Sequence, residues 1–250
     1  MVSNILQENG FFFGKRQEEN SESIFHLSLN RFLLETSGAT WDNPGGFWWM
    51  LDDPTGARDN VLKELIRKNS GWRSVKFWGG GKNSSKFWGW KDPRMSITLP
   101  LWLDIYPNAK IIRIIRNGID VANSLYVREI KKIKNCMNKR RTSFRCLTLE
   151  GAFSLWEEYL EFEERNLSSV EKYLEIKYED LLLNHDYTLS KIGSYLGCEL
   201  SSIEIDSGRA FGFKDNVDLC DFYKNKLRVS SFLKKYYSSD YLCDCGVVLV

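Results

Sequence analysis

Three residues stand where short apolar runs stop, and two of them carry positive charge. Phe87 to Lys91 reads FWGWK and halts at Asp92-Pro93; Lys110 to Arg116 reads KIIRIIR and halts at Asn117-Gly118; Leu174 to Tyr178 reads LEIKY. Runs of this length, rich in β-branched and aromatic residues and closed by turn formers, predict strands. Ligands of open parallel sheets bind beyond the carboxyl ends of the strands, so Lys91, Arg116 and Tyr178 would meet them at one edge. Arg116 also leads directly into an amphipathic segment, from about Ile119 to Lys134, whose first N–H groups have no helical acceptor and favour anions. Ser124 follows Arg116 by eight residues, roughly two helical turns, near enough for its hydroxyl and the guanidinium to share one phosphate. The pattern points to a polyanionic ligand. The plain alternatives are an exposed arginine with a solvated helix serine, and a Lys91 that merely pairs with Asp92 or Glu179.

The elements that would position these residues alternate. A helix begins near Ser96, with Pro100 in its first turn, and ends by Pro107. A long helix runs from about Leu149 to Lys172 with Phe153, Trp156, Leu160 and Phe162 approximating one face. Asp186 to Leu196 predicts another, stopped by Gly197. Because parallel neighbours need crossover helices, the reading is an α/β protein, a three-layer parallel sheet of at least three strands flanked by helices. Upstream, Gly10 to Asn43 reads as a turn at Phe13-Gly14, a helix from about Ser21 to Thr36, and a Trp41-Asp42-Asn43-Pro44 turn.

Composition bounds the function. With 250 residues, 43% hydrophobic and 27% charged, the chain can bury one substantial core, and a single domain over 1–250 is expected. A net charge of +2 argues against a dedicated nucleic-acid partner, leaving local clusters to hold any polyanion. The densest cluster, Lys131 to Arg145, suits an anionic polysaccharide or nucleic acid, or is simply a solvated helix end and loop. No secretory leader pattern opens the chain and no apolar run reaches membrane-spanning length, so a soluble, cytoplasmic protein without membrane partner is expected. The six cysteines form no C-x-x-C pair, and neither His26 nor His185 is at ligand spacing to Cys243 and Cys245, so no metal is expected. Asp52-Asp53 would suit a metal-held nucleotide sugar, but paired acids in a Pro/Gly-rich stretch ordinarily make a turn. Tryptophans crowd the first 102 residues, and Trp48 or Trp49 would suit stacking on a sugar ring, although core packing explains most tryptophans.

The run Trp88 to Glu129, WGWKDPRMSITLPLWLDIYPNAKIIRIIRNGIDVANSLYVRE, resembles the central region of the sulfotransferase family that uses 3′-phosphoadenosine 5′-phosphosulfate (PAPS). There a W-K-D-P-R turn, a helix and an apolar strand lead into R-N-x-x-D-V-A-x-S-L. Tyr178 to Leu182 (YEDLL) followed by Leu196-Gly197 resembles a later segment, and Ser207 to Tyr223 (SGRAFGFKDNVDLCDFY) the C-terminal region of bacterial members. The likeness is strongest over 88–235, and several ordered blocks are more specific than any one motif. It implies a P-loop NTPase-like sulfotransferase fold and PAPS as sulfuryl donor, without a metal. Arg116 and Ser124 would bind the 3′-phosphate, with Arg209 added to the cofactor set, and Lys91 would face the transferring sulfuryl group. The acceptor implied is a hydroxyl on a carbohydrate-like or other small molecule.

Members of this family normally open with a strand and a Gly-Ser-Thr loop that cradles the 5′-phosphosulfate. Nothing before Gly10 resembles that unit, which makes the expected fold N-terminally incomplete. Gly79-Gly80-Gly81-Lys82-Asn83-Ser84 has the composition of a phosphate loop but is followed by a strand, not a helix, and reads as a surface connection. An unpaired strand edge would favour a homo-oligomer. The base that takes the acceptor's proton would come from Glu19, Glu22 or His26, which the sequence does not rank. The alternative is a catalytically impaired remnant that binds 3′-phosphoadenosine nucleotides without turnover.

Overall fold

In the computed structural model, which describes residues 1–70, 74–79, 87–135, 142–203 and 211–237, the β-branched run before Asn117 forms β1 (Ile112–Ile115). It pairs in parallel with β2 (Leu174–Lys177), in the register Ile112 with Leu174 through Ile115 with Lys177. A parallel pair cannot be closed by a tight turn. The connection here carries two long helices, α7 (Gly118–Lys134) and α8 (Leu149–Leu167). Asn117 starts α7 by accepting the Ile119 N–H on its Oδ1 at 2.9 Å, and Lys131, Lys132 and Lys134 in the last turn oppose the negative end of the helix dipole. These elements confirm the α/β expectation; among the described residues the sheet has these two strands.

Contacts divide the chain into two compact units. The first comprises Met1–Lys110, Arg165–Val170 and Ile192–Ile203. It holds α1 (Val2–Glu8), α2 (Ile24–Thr36), α3 (Gly45–Leu51), α4 (Ala57–Asn69), α5 (Val75–Trp78) and α6 (Met95–Ile105). Helix α2 packs against α3, α4, α5 and α6, and Leu33, Phe47, Leu65, Ile97 and Leu101 are fully buried. The second unit contains the sheet, α7, most of α8, α9 (Tyr178–Leu183), the start of α10 (His185–Leu196), α11 (Val217–Val229) and α12 (Ser231–Tyr237). Its core includes Ile115, Ile119, Phe153, Ile176, Leu181, Phe213, Tyr223 and Leu233.

Two sequence expectations are corrected in the first unit. Phe87–Lys91 is not a strand: it meets Phe12 through one parallel bridge at Trp88, with Phe12 N–H donating to Phe87 O at 3.1 Å and Gly89 N–H to Phe12 O at 2.9 Å. Its rings pack on other rings instead of building a ladder, Trp88 on Trp90 at 6.0 Å, with Phe77, Trp78 and Tyr106 edge-on or tilted around them. Pro100 lies in the interior of α6, not its first turn, because the helix starts at Met95. A proline there deprives the Ser96 carbonyl of its helical donor. The side-chain amide of Asn166 supplies the missing N–H, at 2.7 Å from Ser96 O.

Candidate functional site

Arg116 follows β1 by one residue, immediately before the start of α7. Trp156 Nε1 donates to its carbonyl at 3.1 Å, and no side chain fits at Gly118, where a Cβ would lie 2.7 Å from the Trp156 ring. The guanidinium lies over the Tyr178 ring, Cζ 4.8 Å from the centroid, so two of the three expected strand-end residues meet. Its Nη2 is 3.9 Å from Asp120 Oδ2, too long for a hydrogen bond. Arg116 Nε, Asn117 Nδ2 and Asp120 Oδ2 are buried without hydrogen-bond partners among the described residues. Buried polar atoms are normally satisfied, and three orphans at one helix start, two of them donors, suit an anionic ligand. Below them Glu179, fully buried, accepts from Asn117 N–H at 2.9 Å and from the Tyr237 hydroxyl at 2.8 Å. Burial raises the pKa of Glu179, and that of Asp120, from its ordinary value.

Lys91 is delivered by a turn built on buried Asp92. The Asp92 carboxylate accepts from Arg94 N–H at 2.9 Å, from Arg94 Nη1 at 2.8 Å and from Asn30 Nδ2 at 2.9 Å. Asn30 Oδ1 in turn accepts from Thr98 Oγ1 at 3.0 Å and Trp102 Nε1 at 2.7 Å, so the polar atoms beneath the turn are satisfied. Lys91 itself pairs with neither Asp92 nor Glu179: its Nζ is 3.1 Å from Oε1 of Glu22. Lys91 keeps 39% of its side-chain exposure and Glu22 11%, so the pair has a sheltered acid and an accessible cation. Lys91 belongs to the first unit and Arg116 to the second.

A family model described as "Sulfotransferase family" matches residues 7–202, most of the chain. The protein belongs to the sulfotransferase family. Cytosolic sulfotransferase 14 of Arabidopsis thaliana is 30% identical over 157 residues, 57% of this chain and 42% of that protein. The chain therefore spans less than half the length of this curated relative. A solved sulfotransferase domain from the curacin biosynthetic pathway matches 82% of the chain and 65% of its own, at 15% identity and a TM-score of 0.40.

The other candidates of this sulfotransferase-family chain sort by their surroundings. Ser124 is exposed on α7. Arg209, the loop residues from Gly80 to Ser84, and Cys243 and Cys245 lie outside the described residues. Of the three candidate bases, Glu19 is exposed and Glu22 holds Lys91. His26 is buried, stacks on Trp90 at 4.1 Å and 4°, and has its pKa lowered to about 3 by desolvation. An unfolded histidine takes its proton near pH 6.5, so stability is lost as pH falls from there toward about 3. The His26 ring is expected to stay neutral in an NMR titration down to about pH 5, as a pKa of about 3 requires.

Asp52 and Asp53 diverge, which removes the paired-acid reading: Asp52 pairs with Arg165 at 2.8 Å, while Asp53 closes a turn onto Thr55 and Ala57 N–H. The same Arg165 covers the Trp48 ring at 3.7 Å, whereas Trp49 remains 82% exposed. In the basic stretch, Lys132 reaches buried Glu129 at 2.7 Å and Arg145 bonds Ser154 at 2.7 Å and pairs with Glu158, so these charges serve the fold. Among the described residues no helix is long and apolar enough to cross a membrane, and no group of three or more His, Cys, Asp or Glu could hold a metal. Sequence reasoning missed Asp120, Asn30 and Tyr237. Only Asp120 carried a signal, its place four residues after Arg116 on a helix.

Proposed function

We propose that this chain transfers a sulfuryl group from PAPS to a hydroxyl of a carbohydrate-like or other small acceptor, as a cytoplasmic single-domain enzyme. The observation that carries the reading is the Arg116 corner, a cation stacked on Tyr178 whose buried Nε has no hydrogen-bond partner among the described residues, beside a helix start. Arg116, with Ser124 and Arg209, binds the 3′-phosphate end of the nucleotide. Lys91 faces the sulfuryl group, where negative charge develops on the bridging oxygen as the bond breaks. Glu22, whose Oε1 lies 3.1 Å from Lys91 Nζ, takes the proton of the acceptor hydroxyl. The balance is one new acceptor O–S bond, one broken S–O bond to the nucleotide, and one proton moved to the base.

The test is transfer of label from sulfur-labelled PAPS to a panel of hydroxyl acceptors. Arg116→Ala is expected to weaken it by about tenfold or more through loss of nucleotide affinity, since a charge-assisted contact contributes about 1.5–3 kcal/mol. Label transfer indifferent to that substitution would overturn the assignment. Nucleotide binding without transfer to any acceptor would instead identify an impaired member.

A further inference from the structure

We propose that Asp120 is a positioning residue for nucleotide binding: its carboxylate latches the turn after Phe211 onto the start of α7 and holds the Arg116 guanidinium in place. The inference rests on the nucleotide reading of Arg116 and adds to it a residue that touches no ligand.

Asp120 sits in the first turn of α7, with 5% side-chain exposure. Its Oδ1 accepts the N–H of Phe213 at 2.9 Å, across 93 residues of sequence, and Gly212 N–H lowers its pKa in the same way. Its Oδ2 faces Arg116 Nη2 at 3.9 Å and makes no hydrogen bond of its own among the described residues. One carboxylate therefore serves two partners in two ways. It satisfies turn amides by hydrogen bonding, and it acts on the guanidinium by charge at a distance that leaves the guanidinium's donors free for another acceptor.

The turn it holds is strained. Phe211 has φ of +53°, left-handed backbone that a bulky side chain avoids. Such a conformation persists only where the surroundings over-determine it. Here Phe213 is fully buried, its ring 4.9 Å from Tyr223, and its N–H is fixed by Asp120. Phe211 follows Arg209 by two residues in sequence, so the latched turn adjoins the segment that carries the third proposed nucleotide contact.

Arg116 is the cation facing Asp120, and the charge of Asp120 in turn bears on the buried acid Glu179. An amide would accept from Phe213 N–H as well as a carboxylate does, but only a charge can orient Arg116. Asp120→Asn therefore separates the two roles, and Asp120→Ala removes both.

The experiment measures 3′-phosphoadenosine 5′-phosphate binding by calorimetry and amide exchange at Gly212 and Phe213 in the full chain. Asp120→Asn is expected to keep the Phe213 amide protected and the melting temperature near wild type while weakening nucleotide binding about tenfold. Asp120→Ala is expected to weaken it at least as much and to lose protection at both amides. Wild-type affinity in Asp120→Asn, with Arg116→Ala still impaired, overturns the positioning role. Unchanged amide protection in Asp120→Ala overturns the latch. If the wild-type chain fails to bind the nucleotide, the reading of Arg116 falls and the positioning role with it, whereas the exchange measurement, which needs no nucleotide, still decides the latch.

Discussion

Replacing Lys91 by alanine is expected to slow sulfuryl transfer about a hundredfold, the roughly 3 kcal/mol that removal of one preorganised charge-stabilising donor costs a transition state. The proposed chemistry asks Lys91 for a full positive charge where the leaving oxygen gains electron density. The structure gives it an accessible ammonium whose partner, Glu22, is itself the proposed base. A single pair whose cation stays accessible to solvent contributes about 1 kcal/mol to folding, so the melting temperature should move by about 2–4 °C. A large loss of rate on an intact fold is thus the signature of a chemical role, and steady-state kinetics beside a melting curve reads both. Lys91→Arg keeps the charge but spreads it over a wider fork, and should recover part of the rate. Transfer by Lys91→Ala at the wild-type rate would leave the lysine as a surface partner of Glu22.

Local regularities made much of this architecture legible. The β-branched run before Asn117 and the alternating LEIKY run became β1 and β2, Asn117 capped α7, and Gly197, with φ of +78°, ended α10. What stayed hidden depends on residues far apart in sequence. Lys91 meets a glutamate 69 positions away instead of its neighbour Asp92, because Asp92 is consumed by Arg94 and Asn30. Pro100 looked like a first-turn proline because nothing local shows that Asn166 will supply its missing N–H. The Phe87–Lys91 run had strand composition, yet a strand needs a partner ladder, and its aromatic rings found one another first. Residue type and spacing singled out the cations, while the acids beside them, Glu22 at Lys91 and Asp120 at Arg116, needed the fold.

Glu179 shows how those acids act, and replacing it by alanine is expected to cost the fold about 3 kcal/mol, or about 6–12 °C in melting temperature. The carboxylate is fully buried, and its removal orphans the Asn117 N–H and removes the acceptor of the Tyr237 hydroxyl. Glutamine should be tolerated. Its carbonyl can accept from Asn117, and its amide can donate to the Tyr237 oxygen, whose own hydrogen can turn to the Ile115 carbonyl at 3.3 Å. The pH dependence separates the two substitutions further. Burial raises the pKa of Glu179, and the charge of Asp120 acts in the same direction, against the hydrogen bonds from Asn117 and Tyr237. A raised value means the folded state keeps this proton after the unfolded chain has lost it. The stabilisation is therefore complete below the ordinary glutamate range and is lost as pH rises through the raised value. Glutamine does not titrate, so Glu179→Gln should gain on wild type across that window. Denaturation of the three proteins between about pH 4 and about pH 8 measures it. Parallel wild-type and glutamine curves would contradict the raised pKa, and a glutamine variant as unstable as alanine would contradict the hydrogen-bond account.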